Sequence, residues 1–394
     1  MENKRRLAFV VPRYGEEVNG GAELYCRQLA EKLSLIYDIE VLTTCAIDYI
    51  TWKNEYDEGC VLRNNVTIRR FKVLEERDAD TFNQFSGHIV NQNHTIIDEF
   101  NWMKLQGPYS IELLHYIKTN KQLYDFIFFI PYLYFVTYFG INLAGNKSIL
   151  IPAAHDEPFI YFKIFKEMFQ NVKGLIYLTE EEKTLVNSIF NNQYIPSIIL
   201  GSGVDVPIHF NGNLFRKKFN IFEPFMIYIG RIDESKGCKE LFEYFIKYKS
   251  NYNEPLKLVL LGKPVMDIPV HSDIISLGFV SEEDKFNGID AAEALVLPSK
   301  YESLSLVVLE SFKLKKPVLV NGQCDVLRGH CIKSNGGFYY NNYLEFQTLS
   351  RLLLSNKQLN KKLGENGFNY IKENFDWSIL IEKFDRYVKQ LINK

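Results

Sequence analysis

The chain has 394 residues, a formal net charge of −2, and 46% hydrophobic against 24% charged residues. That length predicts two domains of about 150–200 residues, each able to bury its own core. The balance excludes a disordered chain, and the near-neutral charge argues against nucleic acid or a strongly acidic partner. Cys26, Cys45, Cys60, Cys238, Cys324 and Cys331 form no C-x-x-C pair. Reduced thiols and a cytoplasmic setting are therefore expected. Cys324, His330 and Cys331 invite a metal reading, but a fourth ligand and metal-site spacing are missing, so no metal is expected.

The first apolar stretch, residues 7–11, reads as a strand; it is too short for a secretory signal and ends at Pro12. Ala22, Tyr25, Cys26, Leu29, Ala30 and Leu33 then recur at helical steps, and a strand over 39–44 completes a βαβ unit with Gly20-Gly21 at the helix entrance. Further strands are predicted at 66–71, 124–130, 148–151 and 175–178. The apolar run from Phe126 to Phe139 is broken by Pro131 and falls short of the roughly 20 residues a membrane span needs. Residues 158–166 alternate aromatics with lysines, and two readings stand: a peripheral membrane contact or a core helix. Thr179 and Glu182 have capping-box spacing at the start of the next helix.

Gly201-Ser202-Gly203-Val204-Asp205-Val206-Pro207 is dense in turn formers and marks the predicted domain junction. Beyond it the pattern restarts, with strands at 225–229, 256–261, 274–277, 294–297 and 317–320 and helices opening at Gly237 and Ser281. The stretch 343–394 reads as helical, its last helix starting at Asp376-Trp377-Ser378. Such alternation predicts an α/β chain of two Rossmann-like, doubly wound parallel-sheet domains facing across a cleft. The predicted boundaries are 1–204 and 205–372, with a helix over 373–394 packing back on the first domain.

Chemistry concentrates where predicted strands end. Tyr301-Glu302-Ser303-Leu304-Ser305-Leu306 leads from a strand into a helix that carries Glu310. A helix start presents free N–H groups and partial positive charge, which suit phosphate oxygens, while carboxylates suit hydroxyls. Gly230-Arg231-Ile232-Asp233-Glu234-Ser235-Lys236-Gly237 places a planar fork and a point charge on one loop, a pair suited to a diphosphate. His155-Asp156-Glu157-Pro158 follows another strand. Gly20-Gly21 permits close backbone approach, although a double glycine is equally a turn. No G-x-G-x-x-G is completed, which counts against a nicotinamide oxidoreductase.

Taken together, Gly20-Gly21-Ala22-Glu23, Gly230-Arg231 with Lys236-Gly237, Gly278-Phe279-Val280, and Glu302 with Glu310 closely resemble glycosyltransferase family 4, retaining nucleotide-sugar enzymes of the GT-B fold. The resemblance implies that Arg231 and Lys236 bind the donor diphosphate, and that Glu310 accepts hydrogen bonds from the ribose. It also implies that Glu302 and the amides of Ser303, Leu304, Ser305 and Leu306 hold the donor sugar and phosphate. Main-chain groups near Val280 would meet the base, Gly20 and Gly21 would approach the phosphates, and His155 would lie near the transferred sugar. On this basis His155, Glu302, Arg231 and Lys236 are the expected catalytic set. Ser303 and Ser305 stand where many family members have glycines.

The expected activity is therefore transfer of a sugar, with retention, from a nucleotide-diphosphate sugar to a hydroxyl of a glycan, glycolipid or other acceptor. Surface polysaccharide or glycoconjugate synthesis is the expected setting, in the cytoplasm or peripherally at the inner membrane face. Neither cofactor nor metal is expected, since the two cations can neutralise the leaving diphosphate. The rival readings are a nucleotide-sugar epimerase or phosphorylase on the same fold, or a non-catalytic sugar-nucleotide-binding subunit.

Overall fold

A computed structural model describes residues 4–393. The chain divides into two compact units: one holds the chain up to Ser202 together with the stretch from Leu380 onward, the other Gly203–Ile379. Among the described residues no helix is long and apolar enough to cross a membrane.

The first unit is built on eight strands: β1 (Arg6–Val10), β2 (Asp38–Thr44), β3 (Gly59–Arg63), β4 (Val66–Phe71), β5 (Phe126–Phe129), β6 (Ser148–Leu150), β7 (Gly174–Tyr177) and β8 (Ser197–Ile199). Their spatial order is β3-β4-β2-β1-β5-β6-β7-β8, parallel throughout except for β3 against β4. Strands such as Phe126–Phe129 are buried at every position, because helices cover both faces. The strand β3 is exposed along its whole length, so no apolar alternation marks it in the sequence. Three helices that sequence reading also missed, Ala79–Asn91, Ile96–Gln106 and Ile111–Asn120, separate β4 from β5.

The core of this unit is rich in aromatics. Phe169 stacks on Phe190 at 4.2 Å and Trp102 on Phe159 at 4.6 Å. Trp102 donates to Ser86 Oγ at 2.9 Å, and Trp52 to the Gln106 carbonyl at 2.8 Å, so both indoles are packing elements. Residues 158–166 are not one helix: a 3₁₀ turn, Pro158–Tyr161, precedes the helix Phe165–Gln170. Ile160, Phe162, Ile164 and Phe165 turn into the core, leaving Tyr161, Lys163 and Lys166 exposed. The final helix, Trp377–Ile392, begins in the second unit, and from Leu380 it belongs to the first. There the Tyr387 hydroxyl donates to the Pro196 carbonyl at 2.8 Å and accepts from the Leu175 N–H at 3.0 Å. Gly174 makes this approach fit, since a Cβ there would lie 2.3 Å from that hydroxyl.

The second unit carries β9 (Phe225–Ile229), β10 (Lys257–Leu261), β11 (Ile274–Ser276), β12 (Ala294–Leu297), β13 (Val318–Asn321) and β14 (Gly337–Tyr340). All are parallel, in the order β11-β10-β9-β12-β13-β14. By chain order this is 3-2-1-4-5-6, the doubly wound arrangement in which strand order reverses between the first and fourth strands. In the first unit the same reversal falls between β1 and β5. Loops leaving the carboxyl ends of those strands part in opposite directions and leave a crevice.

Candidate functional site

In the second unit the loops at the switch point are the one after β9, with Arg231 and Lys236, and the one after β12, with Glu302. The first is stiffened from within. Tyr228 donates its hydroxyl to the Arg231 carbonyl at 2.6 Å, and Asp233 Oδ1 accepts from the Lys236 N–H at 2.8 Å and from Ser235 Oγ at 2.7 Å. The Arg231 guanidinium pairs with Asp233 and reaches Ser235 Oγ at 3.3 Å. Gly237 then turns the chain into the helix Cys238–Asn251 with φ +76°, and a Cβ there would sit 2.4 Å from the Pro298 carbonyl oxygen. This position needs glycine on both counts.

Lys236 Nζ donates to Glu302 Oε1 at 2.8 Å, joining the two loops across 66 positions of sequence. Burial works against the lysine charge, but the Glu302 carboxylate outweighs it and raises the ammonium above its ordinary pKa. Arg231 adds repulsion at the same place. Three of the expected residues therefore form one cluster of two cations and a carboxylate.

The helix Leu306–Lys313 starts at Ser305, which takes the cap position. Its hydroxyl makes no cap bond: Ser305 is buried, in the left-handed region at φ +66°, and its Oγ has no hydrogen-bond partner among the described residues. The helix start beside it offers free N–H groups and partial positive charge, which suit an anionic ligand. The left-handed conformation also explains why a glycine suits this position, because a side chain there costs roughly 1–2 kcal/mol. Ser305→Gly is expected to raise stability by about 0.5–1 kcal/mol, the strain relief less the greater entropy of the unfolded glycine. A lower melting temperature for that variant would remove the strain argument.

A residue the sequence offered only as part of a metal reading secures this loop. His330, buried on the helix Asp325–Ser334, donates Nε2–H to the Leu304 carbonyl at 2.7 Å. Glu310, one turn into its helix, is buried, and its Oε1 accepts from Lys285 Nζ at 2.9 Å. Val280, in the loop before the helix Glu282–Ala291, is partly exposed, and Gly278 turns with φ +66°.

The remaining expected residues belong to the first unit. Gly20 and Gly21 are exposed at the start of the helix Gly21–Leu33, after β1. Their loop is tied by a buried pair in which Arg13 Nε and Nη2 both reach Glu23 Oε1, at 3.0 and 2.5 Å. Arg13 also donates to the Asn19 and Ile47 carbonyls. A Cβ on Gly20 would lie 2.1 Å from Glu23 Oε2, whereas at Gly21 the space is open. His155 follows β6; its Nδ1 lies 3.6 Å from Glu157 Oε1, which accepts from the buried Tyr132 hydroxyl at 2.8 Å.

Sequence reading placed Glu182 in a capping box. Its N–H does donate to Thr179 Oγ1 at 3.1 Å, but the carboxylate does more. Oε2 accepts from the Leu178 N–H at 2.5 Å and Oε1 from the Ala154 N–H at 2.7 Å, next to His155. Burial pushes this carboxyl up to about 8, although the N–H groups pull the other way. Nothing local in the sequence signals that reach of 28 positions.

Comparison with known proteins bears on both units. Residues 213–370 match the family model of glycosyl transferases group 1. The chain is 22% identical over 335 residues to the uncharacterized glycosyltransferase MJ1607 of Methanocaldococcus jannaschii, covering 80% of each. Sucrose-phosphate synthase from Thermosynechococcus elongatus superposes with a TM-score of 0.73 at 15% identity, covering 99% of this chain and 100% of that one. Anabaena HepE, solved with UDP and glucose, gives 0.70 at 12% identity, covering 98% and 100%. The two parallel-sheet units are those of the GT-B fold, as the sequence led one to expect.

Proposed function

We propose, on the premise that residues 213–370 are a group 1 glycosyl transferase domain carried on the GT-B fold, that this protein moves a sugar, with retention, from a nucleotide-diphosphate donor to an acceptor hydroxyl. The observation that carries the reading is the Arg231, Lys236 and Glu302 cluster at the second unit's switch point, beside a helix start whose Ser305 hydroxyl is buried and unpartnered. Breaking the anomeric bond leaves negative charge on the departing diphosphate. Arg231, Lys236 and the amides from Ser303 to Leu306 stabilise it, so the reading includes no metal. Glu302 holds donor hydroxyls, Glu310 the ribose, and Val280 borders the base. In the first unit Gly20 and Gly21 leave room for phosphate, and His155 contacts the transferred sugar. The acceptor is a glycan or lipid-linked hydroxyl, in surface polysaccharide or glycoconjugate synthesis. A cytoplasmic setting, extending to the inner membrane face, accords with six free cysteines.

The test is incubation with UDP-, GDP- and dTDP-sugars, following release of nucleoside diphosphate with and without added glycoside and polyprenyl acceptors. Acceptor-stimulated release with one donor supports the reading; no release with any donor sinks it. Glu310→Ala is expected to weaken nucleotide binding about 10- to 100-fold, the worth of a hydrogen bond to a charged group. Wild-type affinity in calorimetry would remove the ribose assignment.

A further inference from the structure

Lys285 stands where a lysine is costly. It lies in the first turn of the helix Glu282–Ala291, the positive end of that helix's dipole, and its side chain is only 12% exposed. Two carboxylates compensate: Glu310 Oε1 at 2.9 Å, and Glu282 Oε2, three residues back on its own helix, at 2.9 Å. The Phe286 ring lies 4.5 Å below the ammonium. The bridge to Glu310 spans 25 positions and joins the helix after Val280 to the helix after Glu302.

Glu310 is itself buried, and burial alone would drive its carboxyl toward the neutral acid. Lys285 opposes that shift without cancelling it, while Glu282 adds to it, and the carboxyl stays above its ordinary value; among the described residues these are the charged groups that face Glu310. A neutral carboxylic acid and a carboxylate differ in kind as ligands: the anion accepts from two hydroxyls, whereas the acid spends one oxygen as a donor.

We infer that Lys285 is a positioning residue of the donor site, holding Glu310 as an anion with Oε1 engaged and so presenting the carboxylate to the vicinal hydroxyls of a ribonucleoside diphosphate. The inference rests on the proposed donor role of Glu310. It assigns to Lys285 a part that neither motif nor comparison gives it. Removing the ammonium leaves an uncompensated buried carboxylate, which shifts Glu310 further toward the neutral acid.

The experiment measures binding of UDP, GDP, ADP, CDP and dTDP to the full chain by calorimetry at about pH 6 and about pH 9, since a carboxyl raised by burial holds its proton more at the lower value. The ratio of wild-type to variant affinity is compared, because titration of the nucleotide's own phosphate cancels in it. For the ribonucleoside diphosphate that wild type binds, Lys285→Met is expected to cost about tenfold or more at the lower pH and to recover as pH rises, whereas tightest binding of dTDP, which has no vicinal hydroxyls, would overturn the inference. Lys285→Arg should keep near-wild-type affinity at both pH values. Adding Lys285→Met to Glu310→Gln should change binding little at either pH, since no carboxyl remains at position 310 to titrate. Should Lys285→Met fail to fold, Lys285→Gln supplies the same readout. If wild type binds a diphosphate and the lysine variants match it at both pH values, the inference is overturned while the proposed function stands. If wild type binds none of the five, both fall.

Discussion

Lys236→Ala is expected to lower turnover by about two orders of magnitude, roughly the 3 kcal/mol that one donor to a developing anion supplies. The fold should persist. Lys236 is partly exposed, and the loop carrying it is held by contacts the substitution leaves intact: the Asp233 carboxylate on backbone N–H, the Tyr228 hydroxyl on the Arg231 carbonyl, and Gly237 against Pro298. The ammonium points across to Glu302 at 2.8 Å, so its position is set by a contact within the protein itself. Pre-set charge has no reorganisation cost at the moment the diphosphate departs. Donor binding should weaken less than turnover falls, because the ground-state diphosphate carries less charge than the leaving one. A variant with wild-type turnover and an intact melting transition would refute the assignment.

Glu182→Ala should have the largest effect on stability. Two buried N–H groups, of Leu178 and Ala154, lose their acceptor at about 1–3 kcal/mol each, while the cost of burying the carboxyl is relieved. A net loss of about 2–3 kcal/mol would lower the melting temperature by roughly 5–10 °C for a unit of this size. Because Ala154 adjoins His155, turnover should fall as well. The pH dependence has a definite sign. Burial raises this carboxyl from its ordinary 4.5 to about 8, so between those values the folded state keeps a proton that the unfolded state releases. Its contribution to stability is therefore complete below pH 4.5 and is lost as pH rises through about 8, with a slope of up to about 1.4 kcal/mol per unit. Glu182→Gln should flatten that slope in urea titrations run across the window. An unchanged slope together with an unchanged melting temperature for Glu182→Ala would eliminate this account.

Much of the architecture was legible because parallel strands buried on both faces read as short apolar runs that stop at glycine, proline or a polar loop. Val66–Phe71, Phe225–Ile229 and Ala294–Leu297 coincide with their sequence readings residue for residue. The strand β3 escaped because an exposed edge strand carries no apolar alternation, and the strand β14 because four residues, with Tyr339 exposed and Tyr340 buried, give too short a pattern. The stretch 158–166 misled through its alternating composition: a 3₁₀ turn, with its tighter period, carries Ile160 inward before the following α-helix begins.

By itself, then, the sequence determined the alternation of strands and helices, hence parallel sheets, and it marked the strand ends at which Arg231, Lys236, His155 and Glu302 stand. Those features are local, set by side-chain period and by the turn residues that close each strand. Tertiary structure alone decided which charges meet: Lys236 with Glu302, Lys285 with Glu310, Glu182 with the N–H beside His155. It also decided that Ser305 bends left-handed with its hydroxyl buried. Such pairings join loops and helices 25 to 66 positions apart, and no periodicity in a chain reports on a neighbour that strand order brings in from elsewhere.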